Sequence, residues 1–216
     1  MVDATGETLI GAIKKYFPNI TDKQAEQFGK LKELYDDWNS KINVISRKDM
    51  DNFYEHHVLH SLAIAHEIKF RDGSKILDLG TGGGFPGIPL AIMFPQCQFK
   101  MIDRTGKKIL VVNEVAKALG LENVKAEQLS GEEEKGKYDF VVSRAVMPLP
   151  DLVKIIKKNV DHKRQQNSLP NGLICLKGGD LNNETRPFKN IVSMTDIHDM
   201  FDEEWFKEKY LIYLPL

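Results

Sequence analysis

Residues 75 to 104 constrain this chain more than any other stretch. Lys-Ile-Leu-Asp-Leu leads into four glycines within five residues, Gly80, Gly82, Gly83 and Gly84, and a short helical stretch from Gly87 to Phe94 follows. A second apolar run then ends in an acid, Asp103. Strand, glycine turn, helix and a second strand tipped by a carboxylate make the opening of a doubly wound α/β sheet. Without Cβ, the glycine backbone takes φ > 0 and presses its N–H groups against a ligand, and the helix N-terminus adds positive potential for an anion. An acid at the second strand tip is placed to accept hydrogen bonds from a ribose. The stretch therefore predicts a nucleoside-bearing cofactor.

Gly82-x-Gly84-x-x-Gly87 matches the dinucleotide pattern, with Asp103 near the expected spacing of about 20 residues. The register argues against a dinucleotide. The strand ends at Leu79, so the turn opens at Gly80, and Gly80-x-Gly82-x-x-Phe85 lacks the third glycine. Pro86 and Pro89 crowd the first helical turn and remove N–H donors that a pyrophosphate would use. A smaller anion needs fewer donors, and the carboxylate of S-adenosylmethionine is one. Asp78, just before the glycines, suits a turn in which an acid holds the loop or the amino end of the methionine.

Nothing in the bulk composition opposes a soluble enzyme of one domain. With 216 residues, 42% hydrophobic and 28% charged, the chain is long enough to bury a sizeable core. No apolar run reaches the ~20 residues that span a membrane, and the first residues lack a secretory signal. Cys97 and Cys175 both lie in strand-like apolar settings, which fits core residues in a reducing cytoplasm. A net charge of −1 is low for a protein that grips naked nucleic acid. Any nucleic-acid ligand would have to be recognised through a local basic face or a folded ribonucleoprotein surface.

Apolar spacing predicts a helix over 6–17, with Leu9, Ile10, Ile13 and Phe17 inward. A second helix starts at a Thr21–Gln24 capping box and buries Phe28, Leu31, Tyr35, Trp38 and Ile42. A polar connection over 39–48 precedes a third helical stretch from about Asp49 to Ile68. That stretch carries His56, His57 and His60, but no ligand lies at zinc spacing and no metal is expected. Beyond the glycine turn, a helix over 105–119 closes at Gly120, and strands follow over 123–128 and 138–144. A helix is expected from Asp151 to Val160, a strand from Leu173 to Lys177, and two late strands over 191–197 and 210–214 with one antiparallel return. Arg144, at a strand tip flanked by small Ser143 and Ala145, is suited to stacking on a purine, holding a phosphate or holding the cofactor. Lys154, Lys157 and Lys158 form a basic cluster for phosphate contact, and Lys177, at a strand tip before two glycines, is expected to reach outward.

Asp78 to Leu90, Ile102-Asp-Arg-Thr-Gly-Lys-Lys108, Val142-Ser-Arg-Ala145, Trp38-Asn39 through Asn43, and His57, Leu59 and Ser61 carry a family resemblance. Together they resemble the bacterial small-subunit ribosomal RNA guanine-N7 methyltransferases, the glucose-inhibited division protein B family. The resemblance spans roughly residues 35 to 180. It implies an α/β fold, the class I Rossmann-like S-adenosylmethionine-dependent methyltransferase sheet. An N-terminal helical extension, residues 1–70, is expected to pack on a methyltransferase domain of residues 71–216. Cofactor contacts are implied at Asp78, Gly80, Gly82, Phe85, Asp103, Gly131, Glu132 and Arg144, with Arg144 also positioning the substrate. His57 and Lys107 join the lysines above as RNA-binding candidates. The chain departs from the family at His60, where an acid is commoner, and at Ser130, where a basic residue stands.

The resemblance implies methylation of 16S ribosomal RNA, alone or within the small subunit, by a cytoplasmic protein expected to be a monomer. The turn after the fourth strand lacks the Asn/Asp-Pro-Pro-aromatic pattern of adenine amine methylation, and no cysteine at a strand tip offers a nucleophile for cytosine. Guanine N7 already carries a free lone pair, so no general base is expected. A nicotinamide-dependent oxidoreductase and a non-catalytic RNA-binding or ribosome-assembly protein are the alternatives.

Overall fold

The computed structural model describes residues 4–216, except for the side chains of residues 4–9 and of Arg47, so the inward face expected of Leu9 lies outside the described residues. Helices α1 (Ala4–Tyr16), α2 (Asp22–Lys41), α3 (Arg47–Met50) and α4 (His60–Glu67) come first. Then follow β1 (Lys75–Leu79), α5 (Gly87–Met93), β2 (Gln98–Asp103), α6 (Gly106–Ala118), β3 (Val124–Gln128) and β4 (Phe140–Arg144). The chain ends with α7 (Leu149–Ile156), β5 (Gly172–Gly178), α8 (Asn182–Thr185), β6 (Ser193–Asp196) and β7 (Lys209–Pro215). The seven strands form one sheet in the order β3-β2-β1-β4-β5-β7-β6, with only β7 antiparallel to its neighbours.

Alternation along the strands sorts the core onto two faces. Ile76, Phe99, Met101, Phe140, Val142 and Ile174 pack with Leu31, Ile64, Leu90 and Val112, whereas Leu77, Ile102, Val141 and Leu173 pack with Leu152 and Ile156 of α7. Crossovers leaving β1 thus use one face and that leaving β4 the other. The strand order reverses between β1 and β4, and in such sheets a crevice opens beyond the carboxyl ends at that point.

The N-terminal helices are fastened by side chains whose local role is capping. Thr21 and Gln24 form the capping box of α2, and the Gln24 side-chain amide also donates to the Ile92 and Met93 carbonyls at the end of α5 (3.0 and 3.1 Å). Gln27 does the same for Leu119 at the end of α6 (2.9 Å). Orphan helix carbonyls and the docking of α2 are thereby satisfied together. The acidic segment after Phe201 clamps α1: Tyr16 donates to the Glu203 carboxylate (3.0 Å), and Lys15 pairs with Asp202 (2.8 Å).

Several elements differ from their expected bounds for local reasons. α7 begins at Leu149 because Pro150 is tolerated in a first helical turn, and it ends at Ile156, where a 3₁₀ turn takes over. β6 stops at Asp196, whose side chain accepts from the His198 N–H (2.9 Å) and turns the chain. α6 ends at a Schellman motif, in which Gly120 at φ 63° lets Leu121 N–H reach the Ala116 carbonyl (2.9 Å). The expected helix from Asp49 is broken at Asp51 and Asn52, and a π-helical turn spans Tyr54–Leu59 before α4.

Candidate functional site

The crevice beyond β1 and β4 is built on Asp78. This carboxylate is fully buried; Oδ2 accepts from Thr81 Oγ1 (2.6 Å) and the Gly87 N–H (2.8 Å), while Oδ1 has no partner. Burial pushes its carboxyl up to about 7, against the opposing pull of Thr81, Gly87 and Arg144. The folded protein therefore holds this proton more tightly than the unfolded chain, whose carboxyl titrates near ~3.9. Its contribution to stability is fully present below about pH 4 and is lost as pH rises through about 7. Asp78→Asn is expected to remove that dependence, so Tm of the variant relative to wild type should rise across this window. A difference independent of pH would mean that Asp78 does not titrate there.

The glycine loop folds on its own amides. Gly80, Gly82 and Gly84 take φ of 66°, 59° and 101°. Thr81 N–H bonds the Ile102 carbonyl, Gly82 N–H bonds Asp103 Oδ2 (3.0 Å), and the Gly84 and Phe85 N–H groups share the Thr81 carbonyl. Gly87 and Ile88 donate to Asp78 and to the Gly84 carbonyl. These donors are spent, so the loop offers no bank of free N–H groups for a pyrophosphate.

Helix α2 supports the loop from behind. Tyr35, fully buried, donates to the Gly83 carbonyl (2.5 Å) and packs on Phe53 and Phe85. Removing one partner of a buried hydrogen bond costs about 1–3 kcal/mol. Tyr35→Phe is therefore expected to lower stability by about that amount in denaturant unfolding; an unchanged midpoint would show the bond to be dispensable. Asn39 shapes the segment after α2, accepting from the Val44 and Ile45 N–H groups and donating to the Ile45 carbonyl.

Two adjoining cavities result. One, of about 310 Å³, is lined by Leu79, Gly80, Ile102, Asp103, Arg104, Leu129, Gly131, Glu132, Val146, Met147 and Ile155. The other, of about 320 Å³, is lined by Val44, Ile45, Gly80 to Gly83, Phe85, Asp103, Lys108, Arg144, Ala145 and Val146. Gly80, Asp103 and Val146 border both. A Cβ on Gly131 would lie 2.7 Å from a Leu79 methyl and 2.8 Å from an Ile155 methyl, so a side chain there would push against the cavity's apolar wall. Arg104 and Glu132 join across the first cavity at 2.9 Å. Glu133 folds back on Ser130, and Glu134 on the Gly136 N–H.

Arg144 meets the second cavity from the tip of β4. Its Nη1 donates to the His56 carbonyl (3.2 Å), its Nη2 to His57 Nδ1 (3.0 Å), and its guanidinium carbon lies 5.2 Å from the Phe85 ring centre. Burial pulls its pKa down to about 10, which leaves it charged at neutral pH. Ala145 follows at φ 50°, a left-handed conformation rare outside glycine and common near functional sites. Ser143 donates to the Leu79 carbonyl (3.0 Å) and ties β4 to β1.

The crevice thus gathers Gly80, Gly82, Phe85, Asp103, Gly131, Glu132 and Arg144, whereas Asp78 is fully buried beneath the loop, bonded to Thr81 and Gly87, and lines neither cavity. The basic candidates scatter. Lys107, Lys154 and Lys157 are exposed, and Lys158 donates to the Glu132 carbonyl. Lys177 corrects an expectation. Instead of reaching outward, its ammonium pairs with Glu184 (2.8 Å) and donates to the Met147 carbonyl (2.8 Å), with 10% of the side chain exposed. A charge so neutralised is not free for phosphate. His57 is likewise turned inward behind Arg144, not outward to solvent, and its Nε2 is buried. The other imidazoles diverge, with His56 stacked on Trp205 at 4.1 Å and His60 buried near Phe206. Val44 and Ile45 also line the second cavity although no motif names them, and Lys108, quoted within the motif after Asp103 but given no role there, joins them.

Comparison with known proteins converges on one family. The family described as rRNA small subunit methyltransferase G matches residues 24–203. A ribosomal RNA small subunit methyltransferase G from Bacteroides fragilis strain YCH46 is 60% identical over 99% of this chain and 95% of its own. The protein of the same name from Flavobacterium johnsoniae is 53% identical over 94% of this chain and 97% of its own. Among solved structures, a ribosomal protein L11 methylase from Lactobacillus delbrueckii subsp. bulgaricus has the same fold, with a TM-score of 0.54, 15% identity and coverage of 72% of this chain and 75% of its own. A precorrin-6y C5,15-methyltransferase from Geobacter metallireducens has a TM-score of 0.52 and 10% identity over 80% of this chain and 89% of its own. With a class I methyltransferase sheet, a crevice at its switch point and relatives matching nearly end to end, the chain belongs to the rRNA small subunit methyltransferase G family.

Proposed function

We propose that this protein uses S-adenosylmethionine to place a methyl group on N7 of a guanine in 16S ribosomal RNA. It acts as a monomer in the cytoplasm, on the RNA or on the small ribosomal subunit. The observation that carries this reading is the pair of adjoining cavities at the ends of β1 and β4, one walled by apolar side chains and the other by the glycine loop and Arg144. Among the described residues, no helix is long and apolar enough to cross a membrane.

The residues present fit this cofactor. Ile102, Leu129, Met147 and Ile155 give the first cavity the apolar walls an adenine needs, and the missing side chain at Gly131 leaves Leu79 and Ile155 undisturbed in that wall. Asp103 would receive the ribose hydroxyls with lone pairs not used by the Gly82 and Thr105 N–H groups. Asp78 acts from beneath, holding the glycine loop through Thr81 and the Gly87 N–H. When bound, the cofactor supplies an electrophilic methyl group on a sulfonium.

The protein's own part is orientation and electrostatics. Ser143 and Ala145 leave room at the tip of β4, and Arg144 positions the guanine through its planar guanidinium. N7 brings its own lone pair, so no side chain has to remove a proton. Exposed Lys107, Lys154 and Lys157 are available for phosphates. The loop N–H groups already spent within the chain disfavour a pyrophosphate, and with it a nicotinamide dinucleotide.

Transfer of labelled methyl from S-adenosylmethionine to small subunits from cells lacking the protein, with the product mapped as 7-methylguanine, tests the proposal. Unlabelled RNA despite saturable cofactor binding would leave a binding or assembly protein.

A further inference from the structure

Resting on the reading of Arg144 as the residue that positions the guanine, we propose that His57 is its positioning residue. In this role the imidazole holds the guanidinium at the tip of β4 without cancelling its charge.

The contact joins elements far apart in the chain, the π-helical turn Tyr54–Leu59 and the end of β4. Arg144 Nη2 lies 3.0 Å from His57 Nδ1, and Nη1 donates to the His56 carbonyl at 3.2 Å, so the turn grips the guanidinium at two points. The imidazole is itself held, stacked on Phe53 at 6.0 Å and tilted against Phe85 at 5.1 Å. Phe85 also lies under the guanidinium, which ties ring, arginine and glycine loop into one packed unit.

An arginine only donates, so Nδ1 must accept and the ring proton sits on Nε2. Nε2 is buried without a partner, a costly arrangement for an N–H. That cost is accounted for if the ring is present for what its other nitrogen accepts. Burial, followed by the charge of Arg144, pulls the His57 pKa down to about 3, which keeps the ring neutral and Nδ1 an acceptor. A carboxylate here would grip the guanidinium as firmly but neutralise it. A neutral acceptor fixes its orientation and leaves a full positive charge facing the cavity walled by Gly80 to Gly83.

The test compares the full-length protein with its His57→Phe and His57→Asn variants, using small subunits from cells lacking the protein as acceptor. Phenylalanine keeps the packing and removes the acceptor; asparagine returns an acceptor oxygen near the position of Nδ1. His57→Phe is expected to lower kcat by about tenfold or more, since a misplacement of about 1 Å near a reacting centre costs up to ~10²-fold. The KM for S-adenosylmethionine should change by less than about threefold. His57→Asn is expected to recover most of the lost activity. In an Arg144→Ala background, His57→Phe should have no further effect, because a residue that acts through another loses its role with it. A crystal structure of His57→Phe should show the guanidinium displaced from Phe85. Unchanged kcat, equal losses in both variants, additive losses in the double variant, or an undisplaced guanidinium would each overturn the proposal. If wild type labels no RNA, the proposed function fails, and the crystal structure alone decides the role of His57.

Discussion

Arg144→Ala is expected to lower kcat for RNA methylation by a factor on the order of 10²–10³, the usual loss when one preorganised donor is removed from a reacting centre. Affinity for S-adenosylmethionine should fall by less than about tenfold, which places the loss in kcat rather than in uniform binding. The fold should survive at a cost of about 1–3 kcal/mol, because His57, the His56 carbonyl and the Phe85 ring each lose a partner while the aliphatic core on both sheet faces is untouched. Asp78 will respond: Arg144 holds its carboxyl down, so its pKa should rise further above about 7 in the variant. Single-turnover transfer, titration calorimetry with the cofactor and the pH dependence of unfolding measure these three outcomes. Full activity would confine Arg144 to a structural role.

Gly82→Val is the second large effect, and the geometry sharpens its cause. A Cβ at Gly82 meets no atom within 4 Å, so the protein's own packing does not forbid a side chain. The backbone there has φ 59°, which costs an L-residue roughly 1–2 kcal/mol and a β-branched one more. The added atoms enter the cavity beside the glycine loop. Affinity for S-adenosylmethionine is expected to drop at least about 100-fold, or about 3 kcal/mol. Gly120→Val supplies the control, since Gly120 has φ 63° and equally open space but lies at the end of α6, away from the crevice. It should lose stability to a similar extent and keep its affinity. Equal loss of binding in both variants would attribute the effect to destabilisation alone, and undiminished binding by Gly82→Val would move the cofactor elsewhere.

The sheet was largely legible because its signals are local. Apolar runs bounded by glycine, proline and asparagine mark β1, β2, β4 and β5, and the order of strand, helix and strand admits few topologies. Asp78, Gly80, Gly82 and Asp103 could be named from one continuous stretch because they belong to one turn and the strand beside it. Helix bounds were less secure where proline sits in a first turn, as at Pro150, or where the ladder widens into a π turn, as at His57. Neither feature changes the apolar spacing from which helices are read.

Lys177 shows where such reading stops. A lysine at a strand tip followed by two glycines suggests an outward reach, but α8 returns Glu184 to within 2.8 Å and the charge is consumed. Tyr35 is the converse. Its spacing marks it as a core residue, and only packing reveals the hydroxyl bonded to the Gly83 carbonyl. Val44 and Ile45 border the cavity for the same reason, since no short motif records which distant segment lies over a loop.

By itself, the sequence determined the backbone chemistry of the glycine turn, the carboxylate at the second strand tip and the order of elements, because each depends on residues close together in the chain. Tertiary structure alone decided which charges are free and which are matched. Ion pairs and buried hydrogen bonds join segments such as His57 and Arg144 that come together only when the helices close on the sheet, and desolvation there sets the protonation of Asp78 and His57.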